Sequence, residues 1–253
     1  MNHAMLAATV TQTPQLRYTQ DNQTPVADFG VQFLGRDCQI NLTVTVWNDL
    51  AQAVVGLEVG TNVLLQGSLG MERVEENGVK KTYSRFTARE VFPMDQLPTG
   101  LRPQPEGVAP LMLNSVQLVG RLGYDPDTRF FESGSVVANV SLAVTRKKKD
   151  APPDWFSLVM WGKTAELAKD YLRKGSEIAI EGVLDYESWT DRTTGEQRFK
   201  PIIRVNDLKF VGGKRPESTP ISPVAPVAQP TNGAVAAMAL PAGAVAQVDA
   251  VPF

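Results

Sequence analysis

Cysteine and histidine are almost absent from this 253-residue chain, which has one of each, Cys38 and His3. A single cysteine rules out an intramolecular disulfide and any multi-cysteine zinc site. A lone histidine beside the N-terminus is a poor base for a serine or cysteine hydrolase, whose nucleophile needs one within hydrogen-bond reach. No apolar run approaches the roughly 20 residues that a bilayer demands. No glycine-rich phosphate loop occurs, and the acidic residues show no clustered spacing. Met1 to Val10 lack the basic start and long apolar stretch of a signal peptide, so a cytoplasmic location is expected. These absences predict a protein that is not an enzyme and needs no cofactor and no metal.

Net charge is also small, at -2, but it is unevenly spread. Residues 1–95 hold 7 Lys and Arg against 10 Asp and Glu, net -3, whereas residues 111–215 hold 17 against 14, net +3. A polyanionic partner should therefore prefer the second half.

What is present begins with punctuation. Prolines 93, 98, 103, 105 and 110, with Gly100 and Gly107 between them, break any regular element, and residues 96–110 read as a linker. Beyond residue 211 the chain turns to Pro, Ala, Val, Gly, Ser and Thr with almost no charge. Such side chains bury too little surface to offset backbone ordering of about 1–2 kcal/mol per residue, so residues 212–253 are expected to be a disordered tail. The segments 1–95 and 111–211 repeat each other. Pro25 to Phe29 matches Val136 to Val140, Val46-Trp47 matches Met160-Trp161, and Val59 to Leu69 matches Lys174 to Leu184. The offset creeps only from 111 to 115, which means duplicated domains and not a short-period solenoid.

Within the second copy the dominant period is two, the mark of strands with one buried face. Phe156, Leu158 and Met160 read as core, and so do Ile178, Ile180 and Leu184. One short helix is expected over Thr164 to Leu172, with Gly175 just past its end, and Thr194-Gly195 turns the last hairpin. Each copy is therefore predicted to be a small curled sheet or barrel carrying one helix, and the chain is all-β.

Successive side chains in a strand face opposite ways. Trp155 and Trp161 are six apart and share the face opposite Phe156, Leu158 and Met160. Trp189 likewise shares a face with Glu181, Asp185 and Glu187. Basic residues interleave with these rings: Arg146, Lys147, Lys148 and Lys149 precede Trp155, Lys163 follows Trp161, and Arg192, Arg198 and Lys200 follow Trp189. Arg121 and Arg129 lie on the first strand and its turn. Cations that track phosphates beside flat rings that accept unstacked bases suit single-stranded nucleic acid.

Asn114 to Gly123, Asp125-Pro126, Arg129, Val137-Ala138-Asn139, Asp154-Trp155, Gly162 to Glu166, Tyr171 to Ser176 and Ile180-Glu181-Gly182 closely resemble the bacterial single-stranded DNA-binding proteins. The resemblance spans about residues 112–211. It implies two tandem OB-folds, each a five-stranded barrel with a short helix, and sequence-independent binding of single-stranded DNA in replication, recombination and repair. It also implies a homodimer presenting four OB-folds. Trp155, Trp161 and Trp189 fall where the family carries stacking aromatics. In the diverged first copy Trp47 matches Trp161, but Asn41 stands for Trp155 and Val74 for Trp189, so that copy is expected to bind more weakly and to serve assembly. The last residues include Asp249, Pro252 and Phe253, similar to family tails whose tip docks on replication and repair proteins. Two other readings stay open: an adaptor whose folds mainly hold proteins, and an RNA-binding module.

Overall fold

The structure is a computed structural model that describes residues 1–36, 38–76, 79–94, 113–146, 151–190, 195 and 197–211. The expected linker, 96–110, and the expected tail, 212–253, lie outside the described residues. Among those residues the elements are β1 (Asn2–Tyr18), β2 (Pro25–Leu34), β3 (Gln39–Trp47), α1 (Asp49–Ala53), β4 (Asn62–Glu76) and β5 (Val79–Pro93). The second set is β6 (Asn114–Leu122), β7 (Asp127–Phe130), β8 (Val136–Val144), β9 (Asp154–Trp161), α2 (Gly162–Tyr171), β10 (Glu177–Thr190) and β11 (Gln197–Phe210). The chain is all-β and holds two OB-folds, as the period-two patterns require.

Each fold closes in the same way. In the first, β1 pairs with β4 through its N-terminal half and with β2 through its C-terminal half, while β3 joins β5 in parallel. In the second, Asp125-Pro126 interrupts the matching long strand, so β6 pairs with β10 and β7 with β8, and β9 joins β11 in parallel. The correspondence extends to single residues. Gly67 and Gly182 sit at matching register shifts, between Gln66 and Gly67 and between Glu181 and Gly182. A Cβ there would lie 2.1 Å from the Thr87 carbonyl oxygen or 2.2 Å from that of Arg204, so both positions require glycine. The Asn2 amide donates to the Leu69 carbonyl (2.6 Å) and accepts from its N–H (3.0 Å). Asn114 does the same for Leu184, at 2.8 and 3.0 Å.

The folds share a sheet. β1 and β6 pair antiparallel from Asn2↔Leu118 to Leu6↔Asn114. One eleven-stranded sheet results, in the order β2-β3-β5-β4-β1-β6-β10-β11-β9-β8-β7. Ala4, Leu6, Val116 and Leu118 are fully buried at the joint, and one apolar core runs through both folds. Side chains cross it too: the hydroxyls of Ser84 and Tyr186 lie 2.8 Å apart, and the Met71 N–H donates to Asp154 Oδ1 at 3.2 Å. Burial raises the pKa of the Tyr186 phenol.

The helix expected at Thr164 begins two residues earlier, at Gly162, whose φ of 54° a residue without Cβ adopts at little cost. Ala165, Ala168 and the following Leu172 are buried against the barrel, and Gly175, φ 85°, turns the chain toward β10. One expectation fails. Asp185 was expected on the open polar face with Trp189, but it is 2% exposed and accepts a bond from Arg204 Nε at 2.5 Å. Its parity is as expected, but a loop from the other fold covers it: a Cβ on Gly35 would lie 3.0 Å from Asp185 Oδ1.

Candidate nucleic-acid interface

β9 alternates strictly at its ends. Phe156, Leu158 and Met160 are at most 1% exposed, whereas Trp155 and Trp161 are 38% and 46% exposed on the opposite face. Trp189, 45% exposed, stands on the part of β10 that runs past the core in the hairpin with β11. Large apolar rings left in water on one sheet face are costly unless a partner covers them. Between the tryptophans, Val137, Val159 and Ile202 form a small buried cluster of their own, so the centre of this face is apolar.

Local packing sets the rings. A Cβ on Gly123 would lie 2.5 Å from Trp155 Cζ3, so this glycine makes room for the indole over the β6–β7 turn. Phe131 stacks on Trp161 with ring centroids 6.1 Å apart and planes 12° from parallel. Phe130, 62% exposed, carries the Lys169 ammonium 4.7 Å from its ring centroid. Sequence reasoning missed Phe130, Phe131 and Gly123: Gly123 and Phe131 lie between strands, where there is no parity to read, and Phe130 ends a strand of four residues, too short to show a period.

The cations divide into two kinds. Arg121 pairs with Glu177 at 3.2 Å and Arg129 with Asp127 at 3.4 Å, both with about seven-tenths of the arginine side chain exposed. Such surface pairs are worth ~0–1 kcal/mol and yield readily to a phosphate. Lys163 is exposed in the first turn of α2, next to Trp161. Arg146 is committed elsewhere: its Nε donates to Asp154 Oδ2 at 3.0 Å and its Nη2 to Oδ1 at 2.6 Å. Asp154 is 7% exposed, so Arg146 mainly neutralises a buried carboxylate, and that hydrogen bond raises the guanidinium pKa further. Lys147, Lys148, Arg192, Asp249, Pro252 and Phe253 lie outside the described residues.

The first fold offers a different surface. Trp47 is 42% exposed and pairs across from Val26, as Trp161 does from Val137. Where the second fold has its apolar centre, the first has an ion-pair cluster. Arg17 donates to Asp28 Oδ2 from Nε (3.1 Å) and Nη2 (2.7 Å), and the Thr45 hydroxyl donates to Oδ1 (2.6 Å). Partial burial alone would raise the Asp28 pKa, but these donors hold it below the usual carboxylate range. Arg85 is paired with Glu72 at 3.2 Å.

The model of the single-strand binding protein family matches residues 1–94 and again residues 113–211. Over 107 residues the chain is 55% identical to single-stranded DNA-binding protein 1 of Synechocystis sp., which is 42% of this chain and 88% of that protein. It is 49% identical over 116 residues to the single-stranded DNA-binding protein of Anabaena variabilis, 46% of this chain and 98% of that one. The crystal structure of the single-stranded DNA binding protein from Thermus aquaticus superposes with a TM-score of 0.61 at 24% identity, covering 85% of this chain and 98% of that one. That likeness concerns the fold, a pair of OB-folds in one chain.

Proposed function

The chain belongs to the single-strand binding protein family, and from that premise we propose that it binds and protects single-stranded DNA without regard to sequence. The observation that carries this is the set of three tryptophans, Trp155, Trp161 and Trp189, exposed on one face of one OB-fold. Every base has a π-face, so stacking on indoles is sequence-tolerant and worth about 1–3 kcal/mol per base. Arg121, Arg129 and Lys163 then serve the phosphates, and the same role is proposed for Lys147, Lys148 and Arg192. Arg146 acts one step removed, by holding Asp154 and the strand start beside Trp155.

The biological setting we propose is replication, recombination and repair in the cytoplasm, on the nucleoid. Two copies of the chain pair as a homodimer, so that four OB-folds share a strand. The tail recruits replication and repair enzymes through Asp249, Pro252 and Phe253, the phenyl ring entering an apolar pocket on the partner. Its support is the similarity of this tip to family tails.

A titration of intrinsic tryptophan fluorescence with single-stranded DNA, single-stranded RNA and duplex DNA, at two salt concentrations, tests the reading. Quenching by single strands with affinity falling as salt rises is expected, because phosphate binding releases counterions. Equal response to duplex DNA would sink it. Pull-downs with intact and Phe253-deleted protein test the tip: loss of partner enzymes with DNA affinity unchanged is expected, and identical partner sets would reduce the tail to a spacer.

A further inference from the structure

Between two matching strands, the folds have exchanged an aromatic. In the second fold the β9–β11 register joins Leu158 to Ile203 and Val159 to Arg204. Continued along both strands, that register sets Trp155 on β9 level with Lys200 on β11. In the first fold the β3–β5 register joins Thr43 to Arg85 and Val44 to Phe86. Continued the same way, it sets Asn41 level with Tyr83. The ring is on the outer strand of the pair in one fold and on the inner strand in the other.

Tyr83 faces the same way as the tryptophans. It is 42% exposed, it lies opposite exposed Glu72 on β4, and its neighbours Ser84 and Phe86 point inward. Asn41, Thr43, Tyr83 and Arg85 line one open cleft of about 400 Å³. The core shows the same exchange. Phe156 on β9 and Ile203 on β11 are fully buried, and their counterparts are Leu42 on β3 and Phe86 on β5, at 3% and 0% exposure. Moving a ring from one strand to its neighbour conserves volume inside and keeps an aromatic outside.

We propose that Tyr83 is a base-stacking platform of the first fold, standing in for the missing counterpart of Trp155 and working with Trp47. The proposal rests on the single-stranded DNA reading above. Along the strands Tyr83 and Trp47 are separated by six residues, about 20 Å at the usual rise, the same as Trp155 and Trp161. The first fold thus keeps two platforms at the spacing of the second. Tyr83 adds a ring and no charge, and the nearby Arg17 is held by two bonds to Asp28, so what Tyr83 contributes comes from stacking and not from phosphates.

The full-length protein is titrated with short homothymidine strands that fill one fold and with long ones that reach both. Wild type, Tyr83→Ala and Tyr83→Phe are compared at two salt concentrations. Tyr83→Ala should weaken binding of long strands by about fivefold to a hundredfold, the range for losing one stacked base. It should leave short strands nearly unchanged and the salt slope unaltered, and Tyr83→Phe should restore wild-type behaviour. In parallel, a long strand carrying bromodeoxyuridine is photocrosslinked to wild-type protein and digested with trypsin, and the crosslink should map to the Thr82–Arg85 peptide. That arm decides the matter even if the alanine variant folds poorly. Normal long-strand binding by Tyr83→Ala, or crosslinks on the second fold alone, would overturn the platform while leaving the general reading intact. Failure of the wild type to bind any single strand would overturn both.

Discussion

The two OB-folds present opposite chemistry from one scaffold. Both keep the glycine at the matching bulge, the asparagine clamp on the first strand and the tryptophan that ends the third. They part at the centre of the outer face. The second fold places Val137, Val159 and Ile202 there, flanked by tryptophans, whereas the first places an aspartate ringed by Arg17 and Thr45. Duplication left the backbone-dictated residues alone, because a Cβ at either bulge glycine would strike a carbonyl oxygen about 2 Å away. Side chains on the open face met no such restriction and diverged. The difference teaches that specialisation in a tandem repeat is found on the surface that the shared sheet does not bury.

The largest expected effect of breaking this contrast lies at the joint. Asp154 stands where the first fold has Ile40, which is also buried, at 2% exposure. Arg146→Met leaves that carboxylate without its cation. Removing one partner of a buried pair costs about 3–5 kcal/mol, and less here because Arg146 is partly exposed, so about 2–3 kcal/mol is expected in urea unfolding. Adding Asp154→Ile, the choice of the first fold, should recover only part of this: an apolar replacement of both partners is often neutral, but here the buried Met71 N–H also loses its acceptor. An unchanged midpoint for Arg146→Met would show that the joint does not depend on the pair.

Next come the platforms. Trp155→Ala, Trp161→Ala and Trp189→Ala should each weaken single-stranded DNA binding by about 1–3 kcal/mol without lowering the unfolding midpoint. Trp47→Ala should cost less, because fewer rings accompany it. Variants that unfold as core mutants do would refute the assignment of these rings to the open face. A smaller loss, about 1 kcal/mol or less, is expected for Gly123→Ala, which tilts Trp155 instead of removing it. Trp155 fluorescence should shift in the free protein, and an unmoved spectrum would show that the ring sits elsewhere.

Parity made the tryptophans legible, because an even spacing on a strand decides a face before any neighbour is known. The repeat was legible because matched segments recur at a nearly constant offset, whereas the bulges at Gly67 and Gly182 show only once the strands are paired. Asp185 was misplaced because the loop that covers it comes from the other fold, and strand periodicity carries no mark of a partner sheet. The β1–β6 joint escaped for a like reason, since alternation at Ala4 and Leu6 does not say which sheet lies beyond. Arg146 read as one more phosphate-tracking cation in a basic run, and only the fold brings it against Asp154. Tyr83 was passed over because a residue-by-residue match looks for an aromatic at Asn41, whereas the sheet offers the same patch of surface from the next strand.

The smallest effect sharpens the comparison most. Asp28→Asn gives the first fold the residue that the second has at the matching position, Asn139. Asparagine keeps an oxygen for the Thr45 hydroxyl but no longer neutralises Arg17, and it removes a negative charge near Arg85. Affinity for long single strands should rise severalfold at low salt. The salt slope should steepen by about 0.7 for each phosphate newly engaged, one or two in number, while short strands bind as before. Stability should move the other way. Because Asp28 has its carboxyl pKa lowered in the folded state, its contribution is present above the unfolded value of about 3.9 and is lost as pH falls through the folded one. The variant should therefore be less stable than wild type at pH 7, by about 0.5–1 kcal/mol for partly exposed charge-assisted bonds. The two stability curves should converge in strong acid. A steeper salt slope together with unchanged stability would mean that Arg17 and Thr45 are indifferent to the charge they surround. Unchanged DNA binding with the expected acid convergence would mean that no strand crosses this part of the first fold.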